Sequence, residues 1–134
     1  MYRSLIALIL LSFTSIVAMG QSLPLGKWQL DEYNFGGQTQ KAVTGIHSTL
    51  IVKAKGKFGG DSGCNAYGGS YSTVDGKLKI ADIISTMRAC DSPEPSFERN
   101  FFEILEKVGS TKVESDALVI FASDGKYLRF VKEG

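Results

Sequence analysis

The chain has 134 residues, of which 15 are basic and 14 acidic, and hydrophobic side chains make up 43% of it. That length accommodates one folded domain, with no room for a second beside a leader. The charges nearly cancel and form no basic block, which argues against nucleic acid as a partner.

The N-terminus reads Met1-Tyr2-Arg3-Ser4, then an apolar stretch from Leu5 to Met19 broken only by Ser12, Thr14 and Ser15, then Gly20-Gln21. A basic start, a short apolar segment and the small residues Ala18 and Gly20 predict a signal peptide, residues 1–20, cleaved before Gln21. The apolar segment is shorter than the roughly 20 residues of a membrane-crossing helix, and an uncleaved anchor is the alternative reading. Its first cysteine is Cys64, far beyond the position a lipid anchor requires, so the expected location is periplasmic or secreted. Residues 21–134 are then one soluble domain, formally neutral once Arg3 is removed and without a membrane span.

Strand signals punctuated by glycine dominate this part. Gly26 to Tyr33 alternates, with Trp28 and Leu30 on one face and Lys27, Gln29 and Asp31 on the other. Asn34 to Gln38 reads as a loop, and Ser48 to Ala54 as a β-branched strand able to bury both faces. Asp75-Gly76 joins Tyr71–Val74 to Lys77–Ile80, and Asp124-Gly125 joins Ala117–Phe121 to Lys126–Val131, both with hairpin chemistry. One helix is expected, its apolar face formed by Phe97, Phe101, Ile104, Leu105 and Val108. Ser92-Pro93 can start it and Gly109 can stop it. The predicted class is mainly β: a small antiparallel barrel-like or strongly curved sheet with one amphipathic helix packed against it.

Cys64 and Cys90 are the only cysteines, and an exported chain matures where thiols oxidise, so a disulfide is the default reading and a free reactive thiol the alternative. Other chemistry is thin. Gly60-Asp61-Ser62-Gly63 looks like the surroundings of a nucleophilic serine, but His47 is the only histidine available as its base. Gly63 to Ser70 nearly spells a phosphate-binding loop, with Gly69 where the essential lysine belongs. His47, Cys64 and Cys90 lack zinc-site spacing. Glu94 and Glu98 read as a solvated helix flank. No catalytic residue, metal or cofactor is expected.

The order Trp28-Gln29-Leu30, Phe58, Gly63-Cys64-Asn65, Gly69-Ser70-Tyr71, Thr86-Met87-Arg88-Ala89-Cys90 and a helix from Glu94 to Leu105 resembles the META/HslJ family. The resemblance implies a barrel-like domain with one packed helix, in exported or envelope-associated proteins linked to heat stress, antibiotic tolerance or motility, with no established enzymatic activity. Several relatives of this kind are lipoproteins, which the absence of a suitable cysteine argues against here.

Within the motif, Asn65 reads as a turn-former, Thr86 and Met87 as strand-end packing, and Arg88 as ion-paired to Asp91 or Glu94 or aimed into a cleft. Tyr33, Phe35, Tyr67, Tyr71 and Arg88 are the candidate contact residues, since aromatics alternating with glycine make adaptable surfaces. The expected function is non-enzymatic: a monomeric exported domain that binds a protein or a small molecule. The alternatives are a secreted inhibitor presenting the disulfide-held loop 65–89 and a hydrolase built on Ser62 and His47.

Overall fold

The computed structural model describes residues 23–42, 47–90 and 96–133, so the expected leader and its cleavage site lie outside the described residues. Among the described residues nine strands and one helix follow in the order β1 (Gly26–Asn34), β2 (Gln40–Lys41), β3 (Thr49–Lys53), β4 (Lys57–Asp61), β5 (Ala66–Val74), β6 (Lys77–Ser85), α1 (Phe97–Glu106), β7 (Val108–Glu114), β8 (Ala117–Ala122) and β9 (Tyr127–Lys132). The strands form one antiparallel sheet in the order β6-β5-β4-β3-β1-β9-β8-β7, with β2 paired to the outer part of β1. The two end strands, β6 and β7, contact each other, so the sheet curls into a nearly closed barrel. The barrel-like expectation holds.

The interior is filled by alternate residues of the strands and by one stripe of the helix. Leu50, Leu118, Ile120, Leu128 and Phe130 are fully buried, and Phe97, Phe101, Ile104 and Leu105 of α1 meet them from the open side. Each such side chain contributes about 1.5–3 kcal/mol on burial. The helix packs on β6, β8 and β9. Phe101 stands at its centre, with ring centroids 6.3 Å from Phe130 and 5.5 Å from Tyr67.

Two irregularities decide which side chains face inward. In β1 the register against β9 shifts between Leu30 and Glu32. Strict alternation from Trp28 and Leu30 would send Tyr33 outward; the extra residue, Asp31, reverses the phase and buries Tyr33. In β6, Asp82 has φ +56° and the register against β5 slips between Gly68 and Ser70. Leu78 and Ile80 face in, but after the slip Ile83 takes the inner position and Ile84 is turned out to solvent.

The expected hairpin at Asp75-Gly76 forms, with φ +52° and +74° at the two turn residues. At the second hairpin only Gly125 has positive φ; Asp124 instead accepts the Lys126 N–H on Oδ1 at 3.2 Å. The helix is shorter than its apolar face suggested. It ends at Glu106, capped by the Lys107 N–H, which reaches the Glu103 carbonyl at 3.0 Å, and Val108 and Gly109 begin β7. The ladder with β8 overrides the helical pattern there: Val108 pairs with Ala122, and the Ser123 N–H donates to the Lys107 carbonyl at 2.9 Å. The expected start at Ser92-Pro93 lies outside the described residues.

Gly60 is fixed by space. Gly60 has φ +149°, and a Cβ there would come within 2.2 Å of the Thr49 carbonyl oxygen on β3. Gly37 has nothing within 4 Å of the same position. Gly60→Ala is expected to cost about 3 kcal/mol or more, and Gly37→Ala no more than about 0.5 kcal/mol. Urea denaturation of both variants checks the contrast, and equal midpoints would contradict it.

Candidate functional site

Cys64 and Cys90 form a disulfide with Cα atoms 5.9 Å apart, so neither is free for redox catalysis or metal binding in this state. The bond joins the bend after β4 to the end of the segment after β6. Beside it lies a polar cluster centred on Asn65, which is 3% exposed. Its Oδ1 accepts the Arg88 N–H at 2.7 Å and the Thr86 hydroxyl at 2.9 Å. Its Nδ2 donates to both Glu98 carboxylate oxygens at 3.0 Å. The Ser62 hydroxyl, also buried, donates to Glu98 Oε2, and its oxygen accepts the Asn65 N–H at 3.2 Å. One amide therefore ties the β4–β5 bend, the segment after β6 and the first turn of α1 together.

Sequence reasoning missed this arrangement in two places. Glu98 was expected on a solvated flank, yet its carboxylate turns inward to hydroxyl and amide donors. Asn65 does close the bend, its carbonyl accepting the Ser62 N–H at 2.9 Å, but without positive φ, and its reading as a turn-former left out the long-range bonds of its side chain. The available signal was the pairing of an Asn-containing cysteine motif with an acidic residue in the first helical turn, where a carboxylate also complements the helix dipole. Ser48 sits opposite Ser62 in an isolated bridge, is fully buried, and its hydroxyl has no hydrogen-bond partner among the described residues.

The candidate contact residues do not form one surface. Tyr33 and Tyr67 are 3% and 6% exposed and belong to the core. Phe35 is half-buried, its ring 4.5 Å from Tyr33 and 5.4 Å from Phe97. Tyr71 packs against the core and its hydroxyl donates to the Lys53 carbonyl at 3.2 Å. Arg88 is exposed and its Nη2 donates to the Cys64 carbonyl at 2.8 Å; Asp91 and Glu94, its expected partners, lie outside the described residues.

Nor does the fold offer Ser62 and His47 as a nucleophile and its base. Ser62 is 1% exposed with its hydroxyl committed to Glu98, while His47 is exposed and precedes Ser48, whose side chain takes the inner face opposite Ser62. Adjacent residues of an extended chain point to opposite sides, which directs His47 away. The segment between the cysteines is a paired β5–β6 hairpin, not the extended exposed loop that an inhibitor would present. Among the described residues, no group of acidic, histidine or cysteine side chains could hold a metal.

The two most exposed large apolar residues lie elsewhere, at the end of β6 and just after it. Ile84 is 75% and Met87 96% exposed. Ile84 lines a groove of about 320 Å³ together with Ala66, Tyr67, Gly68, Ser85 and Thr86, and Met87 follows Thr86 in the chain. Gly68 is the cross-strand partner of Ile84, so the groove opens where that glycine carries no side chain.

Asn65→Ala strips partners from Glu98, Thr86 and the Arg88 N–H together, and is expected to cost about 3 kcal/mol in denaturant unfolding. Asn65→Asp sets a second carboxylate against Glu98, which raises the pair's affinity for protons in the folded state. That variant should lose more stability at pH 7 than at pH 4, where protonation relieves the repulsion; a pH-independent loss would contradict the contact. For Tyr67, burial and then the charge of Asp61 push the phenol well above its usual range. Its hydroxyl donates to the Thr49 carbonyl at 2.6 Å. An acid raised in the folded state stabilises fully below its unfolded value and loses that contribution above it, so stability should fall above roughly pH 10. Tyr67→Phe should make that alkaline decline shallower, as read from Tm against pH.

The fold and its motif have recognisable relatives. No curated protein matches the chain. Among solved structures, a protein from Burkholderia xenovorans determined by NMR superposes with a TM-score of 0.68 at 25% identity, covering 81% of each chain. A second NMR structure gives a TM-score of 0.62 at 16% identity over 79% of this chain and 88% of that one. A DUF4847 family protein from Bacteroides vulgatus ATCC 8482 gives 0.58 at 16% identity over 81% and 94%, and like the second it supports the fold alone. The META domain pattern matches residues 21–134, and the chain belongs to the META domain family.

Proposed function

We propose that the protein is exported, loses residues 1–20, and works in the envelope or outside the cell as a monomeric, non-enzymatic domain in stress or antibiotic tolerance. In this reading it acts by binding a partner protein or a small apolar molecule through the Ile84–Met87 face. The observation that carries the reading is the position of those two side chains. Large apolar residues at 75% and 96% exposure, three positions apart, the first lining an apolar groove, are costly in water unless something covers them. They are also held in place: Thr86 and Arg88 are bonded to Asn65, and Cys90 to Cys64. A preordered surface spends little conformational entropy on binding.

Export is supported by the closed disulfide and by a family match that begins at residue 21, directly after the expected cleavage position. No helix among the described residues is long and apolar enough to cross a membrane. The balanced charge gives no attraction to nucleic acid.

Two measurements check the proposal. Intact mass of the protein recovered from its native host should begin at Gln21 or its cyclised form, with alkylation only after reduction. A strain lacking the gene should lose tolerance to envelope stress or antibiotics, and the wild-type gene should restore it. Ile84→Asp with Met87→Asp, if folded and exported at wild-type level, should fail to restore it. Full rescue by that double variant would remove the Ile84–Met87 face from the function.

A further inference from the structure

Between the end of β6 and the helix, residues Thr86 to Cys90 form a strap lying on the barrel. All five are exposed, so the strap buries no large side chain of its own. Its noncovalent ties converge on one neighbourhood. The Thr86 N–H donates to the Ala66 carbonyl at 3.0 Å. The Thr86 hydroxyl and the Arg88 N–H meet Asn65 Oδ1, and Arg88 Nη2 meets the Cys64 carbonyl. None of these ties reaches β8 or β9, where Leu118, Ile120, Leu128 and Phe130 are fully sealed. The disulfide therefore fastens a peripheral flap to the β4–β5 bend, and the helix keeps its own anchor through Phe97, Phe101, Ile104 and Leu105.

Most ties that remain after the S–S bond is broken are exposed or only partly buried, where water competes for the same donors and acceptors. Breaking the bond also restores the chain freedom that the cross-link suppresses. The disulfide is within reach of a reagent, since Cys90 is exposed and Cys64 half-buried, and exposed disulfides are the more readily exchanged ones.

We propose that Cys64–Cys90 is a redox latch, whose two-electron reduction by an external dithiol opens the strap and bares Asn65 while the barrel stays folded. A thiolate of the dithiol attacks one sulfur, the S–S bond breaks, and the second thiol of the reagent resolves the mixed disulfide. Cys64 and Cys90 leave as thiols, having gained two electrons and two protons, and the reagent leaves as its own disulfide. After opening, Asn65 keeps its bonds to Glu98, so the loosened region ends at the helix and does not spread into the core. The inference stands on the placement of the disulfide and is independent of any binding role for Ile84 and Met87.

Hydrogen–deuterium exchange of the oxidised protein, with and without dithiothreitol, tests it. Reduction is expected to speed exchange about tenfold or more at residues 63–66 and 86–90. Residues 118–121 and 128–131 should be unchanged, and reoxidation should restore the original pattern. No change at 86–90 would show that hydrogen bonds alone hold the strap; faster exchange throughout β8 and β9 would show that the disulfide staples the whole fold. Either result overturns the latch. Cys90→Ser should show the reduced pattern without reductant, and an oxidised-like pattern in that variant would overturn it equally.

Discussion

The amide of Asn65 faces two ways at once, and the geometry at this end of the barrel depends on that. Its nitrogen serves the Glu98 carboxylate, and its oxygen receives donors from Thr86 and Arg88. A carboxylate turned away from bulk water needs donors, and here neutral groups supply them: the amide and the Ser62 hydroxyl. Charge-assisted bonds of this kind are stronger than neutral ones and fix direction as well as energy. Asparagine is the residue that can do this, because it offers two donors and an acceptor on one rigid plane. Aspartate would repel Glu98, and leucine would leave the Arg88 N–H without its acceptor and Glu98 with only the Ser62 hydroxyl.

Around that node the chain uses small irregularities to place large groups. The bulge at Asp31 carries Tyr33 into the core, where its ring meets Phe97 edge-on at 5.2 Å, so the helix start is held by aromatic packing as well as by Glu98. Asp31, turned outward by the same bulge, pairs with Arg129 at 2.5 Å. The slip at Asp82 has the opposite effect and exposes Ile84. It needs room across the ladder: a Cβ on Gly69 would come within 2.7 Å of the Phe58 ring and 3.0 Å of the Ala81 carbonyl.

Much of the architecture was legible in the residues. Trp28 and Leu30 alternate as a half-buried strand should, Asp75-Gly76 carries its turn chemistry openly, and the Phe97–Leu105 spacing marks a helix. What was hidden depends on long-range register. Nothing local to Tyr33 tells that an extra residue at 31 will reverse its side, so a core ring reads as a surface aromatic. Val108 fits the helical stripe and belongs to a strand because Ala122, remote in sequence, pairs with it. Short glycine-rich strands such as β4 carry too few apolar residues to announce themselves. Glu98 looked solvated because its partners, Ser62 and Asn65, lie more than thirty positions away.

The strand order has a consequence for how the molecule comes into being. The first strand, β1, lies between β3 and β9, and its ladder to β9 runs from Trp28–Lys132 to Asn34–Tyr127. A chain made from its N-terminus therefore holds one side of β1 unpaired until its last strand has been synthesised. Pairings so distant in sequence form slowly, because a long loop must close before they return any energy. Until then the nascent chain has no closed barrel and only a partial core. A protein with this topology completes its barrel only when its last strand has joined its first, so the two ends of the domain must meet before the core is sealed.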